Sequence, residues 1–162
     1  MNMNEKNFYP IQMVLEGKEY DLQYQEELKI SQEVINENLK DQSNLYAFYA
    51  VLEEVAEAIM AEAKLTLEVT EATLDAKYRK ELSGGKVTEN LLRNSIVLDE
   101  DYLNAISAFN EARKNVGLLK AIRESFNHRK DMLVTLASNM RIQMADSSIF
   151  VNKIKQENLV KR

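Results

Sequence analysis

The chain of 162 residues has no cysteine, no tryptophan, one proline, one histidine and four glycines. Without cysteine there are no disulfide staples, no thiolate metal ligands and no cysteine nucleophile, a usage that fits a reducing compartment. The scarcity of proline and glycine removes the breakers that would force a turn every ten residues, so helix is expected and repeated short strands are not. No window approaches the roughly eighteen uninterrupted apolar residues of a membrane span. The start Met1-Asn2-Met3-Asn4-Glu5-Lys6 lacks the apolar core of a secretion signal. A cytoplasmic protein without a membrane partner is the expectation.

Charge is divided along the chain. Residues 1–76 hold five Lys/Arg against sixteen Asp/Glu, net −11, whereas residues 77–162 hold sixteen against ten, net +6. Such asymmetry points the basic part toward a polyanion or a membrane surface. The competing reading is that the two halves neutralise each other when they fold together.

The apolar pattern predicts two long helices folded back on each other. The residues Leu45, Phe48, Leu52, Val55, Ile59, Thr66, Val69, Thr73 and Ala76 keep a three-four alternation broken only by Glu62, which reads as a coiled-coil seam on a helix over about 44–82. Ser43 is placed to cap it, and Gly84 or Gly85 to end it in the left-handed conformation. A second seam runs Tyr102, Ala105, Phe109, Ala112, Val116, Leu119, Arg123, Phe126, Lys130, Leu133, Ala137, Met140 and Met144, with Asp99 at its cap position. Ile106, Leu118, Ile122 and Leu136 widen that stripe beyond a two-stranded need, which predicts contacts between copies and hence a homo-oligomer. Between the helices, Thr88 is placed to cap a short tip helix carrying Leu91, Leu92, Ile96 and Val97.

The expected fold is therefore all-α: a long antiparallel helical hairpin with a short tip helix, assembling into a helical homo-oligomer. Residues 1–42 are expected to form an N-terminal segment with a helix, 43–145 the hairpin with its tip at 83–98, and 146–162 a short C-terminal helix capped by Ser147, or a tail. The stretch from Phe8 to Tyr20 stays open, with a short hairpin turning at Gly17-Lys18 as one option.

Few chemistries survive inspection. Glu53, Glu54, Glu57 and Glu62 evoke a di-iron bundle, but such sites need a Glu-x-x-His pair on each of two helices, and the lone His128 follows Ser125 at that spacing. A solvated acidic face is the plainer reading, and no metal or other cofactor is expected. His128 sits in Asn127-His128-Arg129-Lys130 with no Ser or Cys nucleophile motif, so no catalytic residues are assigned and no enzyme is expected. Ser83-Gly84-Gly85-Lys86 lacks the spacing of a phosphate-binding loop. What remains is a row of cations: Lys77, Arg79, Lys80 and Lys86 at the hinge, then Arg113, Lys114, Lys120, Arg123, Arg129 and Lys130 down the returning helix. Cations in a row neutralise successive phosphates and release their counterions, which gives sequence-tolerant, salt-sensitive binding to a single strand. The alternative use for the same row is ion pairing with acidic helices, in a structural or adaptor protein that acts only through protein contacts.

The hinge carries a resemblance. Lys77-Tyr78-Arg79 at the end of a long helix, the turn Ser83-Gly84-Gly85, the polar tip Lys86-Val87-Thr88-Glu89 and the returning segment from Asp99 through His128-Arg129-Lys130-Asp131-Met132-Leu133 to Arg141 resemble the UvsY family of phage recombination mediators. Lys77 and Arg79 match the family's Lys-x-Arg element with a one-residue shift against the Ser-Gly turn. The resemblance implies a non-enzymatic helical protein that forms ring-like homo-oligomers in the host cell cytoplasm and binds single-stranded DNA. It also implies partners: a RecA-like recombinase, loaded onto DNA that single-strand-binding protein covers.

Overall fold

The computed structural model describes residues 10–85 and 88–160. Two short strands, β1 (Ile11–Leu15) and β2 (Lys18–Leu22), precede four helices: α1 (Tyr24–Glu27), α2 (Ile35–Glu81), α3 (Glu89–Val97) and α4 (Glu100–Val160). The chain is mostly helical, and the all-α expectation is corrected at β1 and β2. They pair antiparallel from Ile11 opposite Leu22 to Leu15 opposite Lys18. The turn between them is Glu16-Gly17, not Gly17-Lys18, and both residues have positive φ, 49° and 76°. Two left-handed residues give a two-residue turn whose twist matches that of the strands.

No glycine or proline falls between Lys18 and Ser83, so nothing interrupts α2 where the cap at Ser43 was expected, and the helix starts at Ile35 instead. Its end is closed without a left-handed glycine. The Ser83 hydroxyl donates to the Lys80 carbonyl at 2.7 Å, and the Gly85 N–H to that of Leu82 at 3.1 Å. Thr88 caps α3 as expected, accepting from the Leu91 N–H. Asp99 opens α4 by accepting from the Asp101 N–H at 2.9 Å. The second break expected at Ser147 is absent, because its hydroxyl bonds back to the Gln143 carbonyl within one continuous helix. The end of the expected C-terminal helix or tail, Lys161-Arg162, lies outside the described residues.

The molecule divides into two compact units. The first combines the residues up to Gln23 with Phe48–Ile122. Its buried apolar residues are Met13, Leu15 and Leu22 of the sheet, Tyr49, Leu52, Ala56 and Leu74 of α2, Leu92 of α3, and Ala105, Ala112, Leu119 and Ile122 of α4. Thr66, Val69, Thr70, Thr73 and Leu74 share a groove with Asp101, Asn104, Ala105 and Ala108, so the two helices run alongside each other here.

The second unit combines Tyr24–Ala47 with the chain from Arg123 onward. Ile35, Phe126 and Leu133 are its buried apolar residues. Hydrogen bonds order the pairing: Asn38 meets Arg129, Gln42 meets Phe126 and Tyr46 meets Arg123. Rising numbers on α2 meet falling numbers on α4, which is the antiparallel arrangement the sequence predicts.

The expected seam on α2 holds at Leu45, Leu52, Val55 and Ile59, which are buried or half-buried, and is lost at its other positions. Phe48, Thr66, Val69, Thr73 and Ala76 are exposed, and the buried or half-buried stripe in the first unit is Tyr49, Leu52, Ala56, Met60, Ala63, Leu67, Thr70, Leu74 and Tyr78.

Candidate nucleic-acid interface

Lys77 and Arg79 lie on the last turns of α2, where cations also favour the negative end of the helix dipole. Lys77 Nζ donates to Asp99 Oδ2 at 3.2 Å and sits 4.9 Å above the Tyr78 ring centroid. Its pKa is raised, chiefly by that hydrogen bond. Arg79 is forked twice: Nε and Nη2 donate to Asp75, and Nη1 and Nη2 donate to Glu89 of α3. These bonds raise its pKa as well. The hinge cations thus brace the turn from α2 into α3 and α4, and both side chains remain about half exposed. Lys80 is exposed with no ion pair among the described residues, whereas Lys86 lies outside them.

Tyr78 does not stand free to stack on a base. Its hydroxyl donates to Asp99 at 2.7 Å, which raises the phenol pKa.

Along α4 the predicted row separates into different environments. Arg113, Lys114 and Lys120 are exposed and make no ion pair with any described residue. Arg113 and Lys120 are two turns apart on one side of the helix, about 100° round from the buried Ala112 and Leu119 and nearly opposite the buried Ile122. Arg123 is half-buried and reaches the Tyr46 hydroxyl at 3.4 Å. Lys130 is exposed, 3.5 Å from the neighbouring Asp131.

Arg129 is a correction: only 4 % exposed, it is part of the core of its unit and not a surface cation. Nη1 donates to Gln42 Oε1 at 2.6 Å, and Nη2 to Asn38 Oδ1 at 3.1 Å and to the Lys29 carbonyl at 3.4 Å. Desolvation pushes its pKa down, against the opposing field of Asp41. Asn38 and Gln42 carry no motif that names them as partners of an arginine ninety residues away.

Among the expected oligomer contacts, Ile106, Leu118 and Leu136 are half-buried, while Ile122 at 3 % is already covered within the chain. Ile122 therefore gives no reason for a partner. The most exposed large apolar side chains of the first unit's α2 are Val51, Leu65 and Val69, at 62 %, 61 % and 57 %. They fall on the side of the helix left open by the buried stripe. Of the acidic residues, Glu54, Glu57 and Glu62 form the solvated face that was expected, but Glu53 is buried. No cluster of metal-ligating side chains occurs among the described residues.

Gly117 sits in the interior of α4 between Arg113 and Lys120. Glycine there costs about 0.5–1 kcal/mol relative to alanine. A Cβ at this position would meet nothing within 4 Å, so the chain's own packing does not require it. No family model, no curated protein and no solved structure matches this chain.

Proposed function

We propose that this protein is a non-enzymatic, single-stranded DNA-binding accessory protein of phage recombination or replication, one that works as a homo-oligomer and assists the loading of a recombinase. The observation that carries the reading is the set Arg113, Lys114 and Lys120, exposed on α4 with no carboxylate of the described residues within ion-pair distance. Uncompensated cations on one helix are free to release counterions from phosphates. The hinge residues Lys77 and Arg79 support it through the resemblance to recombination mediators, since solvent-screened ion pairs contribute little and can be exchanged for phosphate contacts.

The test is a salt titration of oligonucleotide binding. The wild type should bind a single strand without strong base preference, with a log–log salt slope of about −2 per protomer if three phosphates are neutralised. Changing Arg113, Lys114 and Lys120 together to alanine should weaken binding and flatten that slope, with helicity unchanged. The double change Lys77→Ala, Arg79→Ala measures what the hinge adds. Affinity insensitive to salt, or unaffected by the triple change, removes the reading.

A second reading is favoured by one group of contacts. Lys77, Arg79 and Arg129 are engaged by Asp99, Asp75, Glu89, Asn38 and Gln42 inside the chain, as expected of an adaptor that uses its cations to hold helices together. That protein would show no oligonucleotide affinity at moderate salt.

A further inference from the structure

Gly117 is the observation that the helix itself leaves unexplained. It is exposed, it weakens α4 relative to alanine, and among the described residues nothing beyond the helix's own adjoining backbone comes within 4 Å of the place where a Cβ would stand. Arg113 lies four residues before it and Lys120 three residues after it, so all three share one side of the helix, with Lys114 at the edge. At about 1.5 Å per residue, the two flanking cations are based about 10 Å apart, with bare backbone between them. A side chain at 117 would fill that gap and hold a ligand away from the helix surface.

We infer that Gly117 forms a notch in which the phosphodiester chain of a single strand lies against α4, clamped from both sides by Arg113 and Lys120 with Lys114 closing one edge. The inference rests on the nucleic-acid reading above and names where on the helix the strand is seated. Charge complementarity selects the occupant: no described carboxylate comes within ion-pair distance of these three cations, Asn110, one turn before Arg113 on the same side, is uncharged, and the exposed Glu111 and Glu124 bound the cationic segment at its two ends. Sequence tolerance follows, because such a seat meets the backbone of the strand and not its base edges.

The experiment compares wild type, Gly117→Ala and Gly117→Leu, with all three cations retained. A fluorescein-labelled oligo(dT) of about 20 nucleotides, longer than the site of a single binding module, is the probe. Anisotropy gives the affinity, thermal melting the stability, and sedimentation the mass. Gly117→Leu should lower affinity at least tenfold without lowering the melting temperature. Gly117→Ala should raise the melting temperature and still lower affinity a few-fold, an opposite movement that a purely structural glycine would not produce. Wild-type affinity in both variants overturns the notch. A change of mass at constant affinity also overturns it, and assigns the glycine to a contact between copies. If the wild type binds no oligonucleotide, the nucleic-acid reading itself fails, an outcome separate from failure of the notch.

Discussion

The Tyr78 hydroxyl donates to Asp99 at 2.7 Å, joining the last turns of α2 to the residue that opens α4. The same carboxylate accepts from Lys77 and from the Asp101 N–H. The Tyr78 hydrogen bond first, then the Asp101 N–H and Lys77, holds the Asp99 pKa below the ordinary aspartate value. A carboxylate with a depressed folded-state pKa stabilises above its unfolded pKa, and that contribution is lost as the pH falls through the folded value. Melting temperature should therefore drop with acidification below about pH 4. Asp99→Asn should melt lower than wild type at pH 7 and show a smaller loss over the same acid range. Identical pH profiles for the two would mean that this junction does not hold the hinge.

Arg129 tests the distinction between a structural and a binding cation. Its removal leaves Gln42 Oε1, Asn38 Oδ1 and the Lys29 carbonyl without the donor they now share. Gln42 is buried, and a buried acceptor left unsatisfied costs about 1–3 kcal/mol. Arg129→Ala should lower the urea midpoint substantially, and Arg129→Lys should not restore it, because an ammonium cannot reproduce the planar fork. Oligonucleotide affinity of the folded fraction should stay at the wild-type value. A stable variant with lost affinity would return Arg129 to the binding row.

The hairpin turn offers a gain of stability. Glu16 holds a φ of 49°, a left-handed conformation that costs most L-residues roughly 1–2 kcal/mol and that asparagine tolerates better. Glu16→Asn should raise the urea midpoint by the equivalent of about 0.5–1 kcal/mol with an unchanged m value. Gly17→Ala, at a φ of 76°, should move it the other way. Opposite shifts at adjacent positions would show that the turn conformation and not local charge sets the effect.

Both long helices were legible in the sequence, and so were the caps at Thr88 and Asp99, because breaker-free runs and capping side chains act locally. The buried row Ala105, Ala112, Leu119, Phe126 and Leu133 was also found, since it repeats every seven residues. Its companion row was not. Asn115, Ile122 and Arg129 are the buried companions: the polar Asn115 and Arg129 look like surface positions, and Ile122, without them, looks like a contact between copies. On α2 the strict seven-residue count walked off the buried stripe. Leu45, Leu52, Val55 and Ile59 are still buried or half-buried, but Thr66, Val69, Thr73 and Ala76 are exposed, as expected when a straight helix drifts about 20° per heptad against a fixed seven-residue frame. The cation row was visible as charge alone. Which cations are spoken for depends on acceptors such as Gln42 and Glu89, which come from other parts of the chain and carry no signature.

That drift has a consequence for assembly. Val51, Leu65 and Val69 occupy the open side of α2, and with Val55, Ala58, Ala72 and Ala76 they make a second apolar stripe at three-four spacing, interrupted by Glu62. Burying a large aliphatic side chain completely gains about 1.5–3 kcal/mol, enough over several positions to favour association through this stripe. Self-association in the micromolar range is the expected outcome, and sedimentation measures it. Leu65→Asp with Val69→Asp should reduce the mass while leaving helicity and melting nearly unchanged, because neither side chain belongs to the buried stripe. Ile122→Asp should behave differently. That residue is 3 % exposed, so a carboxylate there is placed in the chain's own core and should unfold the protein before it dissociates an assembly. A wild type that sediments as a monomer throughout the micromolar range, or a double variant with unaltered mass, would leave the α2 stripe without a role in holding copies together.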